Sequence, residues 1–172
     1  MDRYAVKTEH KRKTVAPKYV HLVCGIGKYT NLKAAETLAK RNAGIDELYT
    51  NEVFNINNTP FEVLNKEEFL EKIKPGNKIY LYGSQDSVEN ESGSFCGAVS
   101  AITNDTWGSL TYSIRKSSNV DKAILANTRH LVFEYESKAH ETAPPPVVVS
   151  NKISVQEPIC YSIIVAALIL EE

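Results

Sequence analysis

The sequence predicts an α+β fold, a single domain built on a mixed β-sheet with two or three helices. Three observations lead there. Helix-like and strand-like segments interleave in the first half of the chain, the second half is mostly strand-like, and one strand–turn–helix unit, Lys18 to Gly44, stands out. A doubly wound α/β sheet is the alternative, but it needs a series of such units and only one is present. The length of 172 residues suits one domain. The apolar share of 42% and charged share of 24% are those of an ordinary globular chain that needs neither disulfides nor metal to fold.

Residues 1–17 carry few apolar side chains and read as a polar arm ahead of a domain over 18–172. Lys18 to Cys24 is rich in apolar and β-branched residues, as a buried strand is. Gly25 and Gly27 should end it. Asn31 or Thr30 then caps a helix in which Leu32, Ala35, Leu38 and Ala39 recur at helical spacing, with Gly44 as its stop. Val53, Phe54 and Ile56 favour a short strand before the Asn57-Asn58-Pro60 turn. Asn65 followed by Glu68 predicts a capping box for a second helix, which Pro75-Gly76 terminates. Lys78 to Tyr82 reads as a strand, Ser84 to Ser94 as a polar loop, and Phe95 to Thr103 as a short helix capped by Ser94. Val120 to Ala126 offers one or two helical turns between strands at Leu110–Ile114 and Leu131–Tyr135. A proline-rich connection at 143–146 cannot enter a ladder, because proline lacks an N–H. Val147–Val149, Ile153–Val155 and Ile159–Leu170 follow as strands, the last one central.

Charge and cysteine content narrow the function classes. The formal net charge is -1, so the chain as a whole is not drawn to nucleic acid or to an anionic membrane. Its longest apolar run, Ile159 to Leu170, is shorter than the roughly 20 residues of a spanning helix. The three cysteines form no C-x-x-C pair and no apolar leader segment precedes them. Free thiols in a reducing, cytoplasmic setting, without secretion, is the simplest reading. The four histidines lack paired ligand spacing, so no metal and no cofactor is expected.

Three places could carry function. Gly25, Gly27, Lys28, Thr30 and Asn31 would form a glycine turn between strand and helix, where free N–H groups favour a phosphate or nucleotide. That stretch lacks the third glycine of a dinucleotide fingerprint and the spacing of a phosphate loop. Cys96 would sit in the first turn of a helix, where the dipole favours its thiolate, with His130 as base and Asp121 or Glu134 behind it. Over those two residues alone, the order resembles that of papain-like cysteine hydrolases. Lys11, Arg12 and Lys13 in the arm could dock on an acidic protein surface. They lack the alternating aromatics of a single-strand platform, so nucleic acid is not the expected partner. Neither site has a second motif behind it. The expected function is therefore a non-enzymatic assembly or partner-binding protein, such as a small structural subunit of a virion or other particle. It would engage a protein partner or another copy of itself through the arm.

Overall fold

A computed structural model describes residues 14–171, so Lys11, Arg12 and Lys13 lie outside the described residues. The described part begins with β1 (Thr14–Val15), which pairs in parallel with β4 (Asn55–Ile56). Val15 is fully buried in the central core, so the last residues of the 1–17 segment belong to the domain.

β2 (Tyr19–Tyr29) runs on through Gly25 and Gly27 and does not end at them as expected. The reason is the helix laid across it. In α1 (Leu32–Asn42), the Asn31 side-chain oxygen accepts from the Ala34 N–H at 3.1 Å, and Gly44 follows in the left-handed region at φ 79°. Ala35 and Ala39 are fully buried. A Cβ on Gly25 would lie 2.1 Å from the Ala39 carbonyl oxygen, and one on Gly27 would lie 2.4 Å from that of Ala35. The glycines therefore admit a helix backbone, where the sequence reading had them admit a ligand.

After the short strands β3 (Thr50–Glu52) and β5 (Glu62–Val63) comes α2 (Lys66–Lys72), with the expected capping box of Asn65 and Glu68. Its buried residue, Phe69, lies beside the His21 ring, with centroids 5.9 Å apart. His21 Nδ1–H donates to the Leu64 carbonyl at 3.0 Å, and burial pushes the imidazole below its usual pKa. A lowered folded pKa means that the unfolded chain binds the proton more readily. The stabilisation is complete above about pH 6.5 and is lost as the pH falls from there through the folded value. His21→Gln, which keeps a donor for Leu64, should flatten the loss of thermal stability on acidification below that pH. A slope identical to that of the parent chain would remove His21 as its cause.

The largest departures from expectation lie in β6 (Ile79–Thr103), a continuous 25-residue strand in place of strand, loop and helix. Its middle reads as polar because Gln85 and Ser87 face α1. Gln85 Nε2 donates to the Glu36 carbonyl at 3.1 Å, and the Ser87 hydroxyl donates to the Glu36 carboxylate at 2.7 Å. Phe95 to Thr103 lacks strand alternation because both of its faces are buried, and periodicity alone does not separate such a run from a helix. After β7 (Gly108–Arg115), α3 (Val120–Ala139) absorbs the strand expected at Leu131–Tyr135. Ala123, Asn127, Leu131 and Tyr135 are its buried positions, four residues apart, and packing that face outweighs the local β preference of Leu-Val-Phe. β8 (Val147–Leu170) joins the three strands expected at the end of the chain into one.

These strands form one mixed sheet of order β3-β6-β8-β2-β5, with β7 also on β6. β6 and β8 pair antiparallel along their lengths, except at register shifts around Glu91. There Asn90 at φ 53° and Gly93 at φ 153° break the ladder, and the sheet folds back on itself. One half holds Ile79–Val88 and Tyr161–Leu170 with β2, β3 and β5. The other holds Gly93–Thr103 and Val147–Val155 with β7. Leu22, Tyr80, Val165 and Ile169 of the first half meet Val99, Ala101 and Leu110 of the second in one buried cluster. α1 and α2 cover the outside of the first half and α3 the outside of the second. The result is an α+β domain of four layers: helices, sheet, sheet and helix. Among the described residues, no helix is long and apolar enough to cross a membrane.

Candidate functional site

The folded sheet disperses the residues that the sequence suggested would act together. Cys96 lies in the second half of β6, not in a helix of its own, and its side chain is fully buried beneath the first turns of α3. It packs against Ala98, Val120, Ala123, Ile124 and Val148, and its thiol points to the Asn119 carbonyl at 3.5 Å. Burial pushes the thiol above its usual pKa, and the Arg115 charge offsets this only in part. Neutral thiols are poor nucleophiles.

His130 is on α3, seven residues beyond the Ala123 that touches Cys96, which is about 10 Å along a helix axis. Its side chain is 69% exposed and its partner is Glu134, with Nε2 and the carboxylate 3.7 Å apart. Asp121, the other residue considered as its orienter, is exposed in the first turn of α3. Cys96 and His130 thus form no nucleophile–base pair, because the segment around Cys96 is a strand. Iodoacetamide should label Cys96 in the native protein at least about tenfold more slowly than in the denatured chain. Equal rates would contradict this burial. Cys24 should resist as well, since burial pushes its thiol up to about 12.

The glycine stretch is likewise rearranged. Gly25, Gly27 and Lys28 are in β2, while Thr30 and Asn31 form the turn after it. Asn31 spends its side-chain oxygen on the Ala34 N–H, and the Gly25 and Gly27 surfaces are covered by α1. A phosphate cradle in that stretch therefore has no exposed glycine backbone to use. Among the described residues, no three His, Cys, Asp or Glu side chains group closely enough to hold a metal ion.

What the fold does bring together is a cleft along the outer edge of β7. Tyr82 of β6, Tyr112, Ser113 and Arg115 of β7, and Asn127 and His130 of α3 line a cavity of about 420 Å³. Tyr82 and Tyr112 meet edge to face with centroids 5.1 Å apart. Burial pushes the Tyr82 hydroxyl above its usual pKa, reinforced by Tyr112 and by the Glu134 charge. The Asn127 amide nitrogen is fully engaged: it donates to the Ser100 hydroxyl at 2.9 Å and reaches the Ala98 and Thr111 carbonyls at 3.3 Å. The Ser113 hydroxyl is the one buried side-chain polar atom without a hydrogen-bond partner among the described residues. Of these residues, only His130 was singled out by motif. The others carry no motif, and the one available signal was the four-residue spacing of buried positions that places α3 over β7.

A second feature is an edge of β8 that no strand covers among the described residues. From Val147 to Val155 this strand pairs with β6, while β2 joins its other side only from Cys160 onward. Beside the open edge, where β2 ends at Tyr29, Ile26, Lys28, Leu38, Asn42, Lys152 and Ile153 bound a groove of about 380 Å³. No protein-family model and no curated protein sequence matches the chain.

Proposed function

We propose that this chain is a non-enzymatic assembly protein, a small structural subunit of a virion or other particle, that associates with further copies of itself. The observation that supports the reading is the open edge Val147–Val155. It is mostly β-branched and small residues with a single charge, Lys152, and Val147 is 46% exposed. Unpaired N–H and C=O groups on such a strand accept a further strand from another chain, and natural monomers usually blunt these edges with charges or proline. The groove beside it leaves room for that strand.

The segment that would occupy the groove is the N-terminal arm of a second copy. Thirteen residues precede Thr14, and an extended chain of that length reaches up to about 45 Å. Lys11, Arg12 and Lys13 then anchor the base of the arm on its neighbour. The three thiols, Cys24, Cys96 and Cys160, are free, which fits a cytoplasmic particle.

Sedimentation velocity over a concentration series tests the reading, using the full chain and a chain starting at Thr14. The later start keeps the buried Val15. The full chain should form concentration-dependent oligomers and the shortened chain should remain monomeric. A full chain that stays monomeric throughout, or a shortened chain that assembles equally well, overturns the proposal.

A further inference from the structure

We propose that the cleft on the outer edge of β7 binds a small ligand made of one aromatic or heteroaromatic ring bearing an oxyanion, with Arg115 and Ser113 holding the oxyanion and Tyr82 and Tyr112 the ring. This goes beyond assembly, and it places a ligand where the glycine stretch cannot.

The cleft has the features of a small-ligand site: about 420 Å³ of space, aromatic walls and a few convergent polar groups. The volume is near the lower end of such sites, which suits a single ring and its substituent better than a dinucleotide.

Ser113 and Arg115 lie two residues apart on β7, so they project to the same face, roughly 7 Å apart along the strand. An oxyanion between them can take the Ser113 O–H and the guanidinium fork together. The Ser113 hydroxyl is buried without a partner, and Arg115 enters no ion pair among the described residues. A buried hydroxyl left unsatisfied costs about 1–3 kcal/mol, so a ligand acceptor would recover an interaction that the protein itself does not make.

Tyr112 projects to the opposite face of β7, packed edge to face with Tyr82 against the central core, and both rings border the cleft around the outer edge of the strand. Ala126 on α3 is small and leaves the opening next to His130 clear. The Glu134 carboxylate sits by His130 and acts on Tyr82. It repels an anion from that end and so sets the polarity of the bound ligand, with its oxyanion toward Arg115. The outer edge of β7 is unpaired among the described residues and adds backbone groups to the wall.

Titration of the full chain followed by two-dimensional amide NMR tests this with four probes. Phenyl phosphate and benzoate carry ring and charge, benzyl alcohol carries the ring alone, and inorganic phosphate the charge alone. Phenyl phosphate and benzoate should shift the resonances of Ser113, Arg115 and His130 with dissociation constants of about 1 mM or tighter. Their ratio tells which oxyanion is preferred. The two incomplete probes should bind at least about tenfold more weakly. Arg115→Met, at an exposed position, should retain the parent melting temperature and lose most of the affinity for the charged aryl probes. Ser113→Ala should weaken them less, with the fold again intact. No shift at these residues with either aryl probe overturns the proposal. So does binding that is equal for all four probes, or unaffected by Arg115→Met.

Discussion

Gly25→Ala should lower the melting temperature by roughly 6–12 °C. This corresponds to about 3 kcal/mol for overpacking in a domain of this size. The added methyl would lie 2.1 Å from the Ala39 carbonyl oxygen and 2.5 Å from the Ala43 nitrogen. Both are backbone atoms of the α1 end, so no rotamer change relieves the contact. The helix has to move away from β2, and doing so opens the layer in which Ala39 packs against Val23, Ile164 and Ala166. Gly27→Ala meets the Ala35 carbonyl and Ala39 nitrogen in the same way, at 2.4 and 2.5 Å. The two substitutions act on one helix, so their effects should not add. A glycine loop built for a ligand would behave differently: the alanine variants would keep their stability and lose ligand. Denaturant midpoints for Gly25→Ala within error of the parent would contradict the close packing of α1 on β2.

Asn127→Asp should be the most destabilising near-isosteric change in α3, at about 3 kcal/mol or more near neutral pH. The Asn127 amide nitrogen is a buried polar tie between α3 and the second half of the sheet, bonding Ser100 on β6 and reaching the Ala98 and Thr111 carbonyls. A carboxylate offers those carbonyls no donor and brings a charge to a position 5% exposed. Burial raises the pKa of the introduced carboxyl, so protonation restores a neutral group as the pH falls. The deficit should therefore shrink between about pH 7 and pH 5. Asn127→Ala removes the donor without adding a charge and should cost about 1–3 kcal/mol, with little pH dependence. A pH-independent deficit for Asn127→Asp would show that charge burial is not its source.

The two sites of largest effect also show what the sequence could reveal. Asn31, Asn65 and Glu68 were legible because a cap is a local bargain between one side chain and nearby backbone N–H groups. The final strand was legible because its apolar run is too long and too β-branched for a surface element. Gly25 and Gly27 misled because a glycine that admits a ligand and one that admits a helix look alike until the helix is placed. Ser84 to Ser94 misled because strand residues that bond Glu36 and Ser162 are as polar as a loop. Cys96 was drawn into a catalytic role by its expected place at a helix start. With β6 continuous, Cys96 is buried under the first turn of α3 and has no base beside it, because His130 lies further along that helix and pairs with Glu134. The cleft was the least legible feature. Ser113, Arg115 and Tyr82 converge only because the sheet folds back at Asn90–Gly93 and α3 crosses β7.

The reading as an assembly protein rests on the edge of β8, and amide hydrogen exchange observes that edge directly. Exchange in peptides covering Val147–Val155 can be followed in the full chain from dilute to concentrated solution, with the chain starting at Thr14 as the reference. Assembly through a donated strand predicts protection of those amides that grows with concentration in the full chain and stays constant in the shortened one. Protection in Val147–Val155 that is the same at every concentration and in both chains would contradict it.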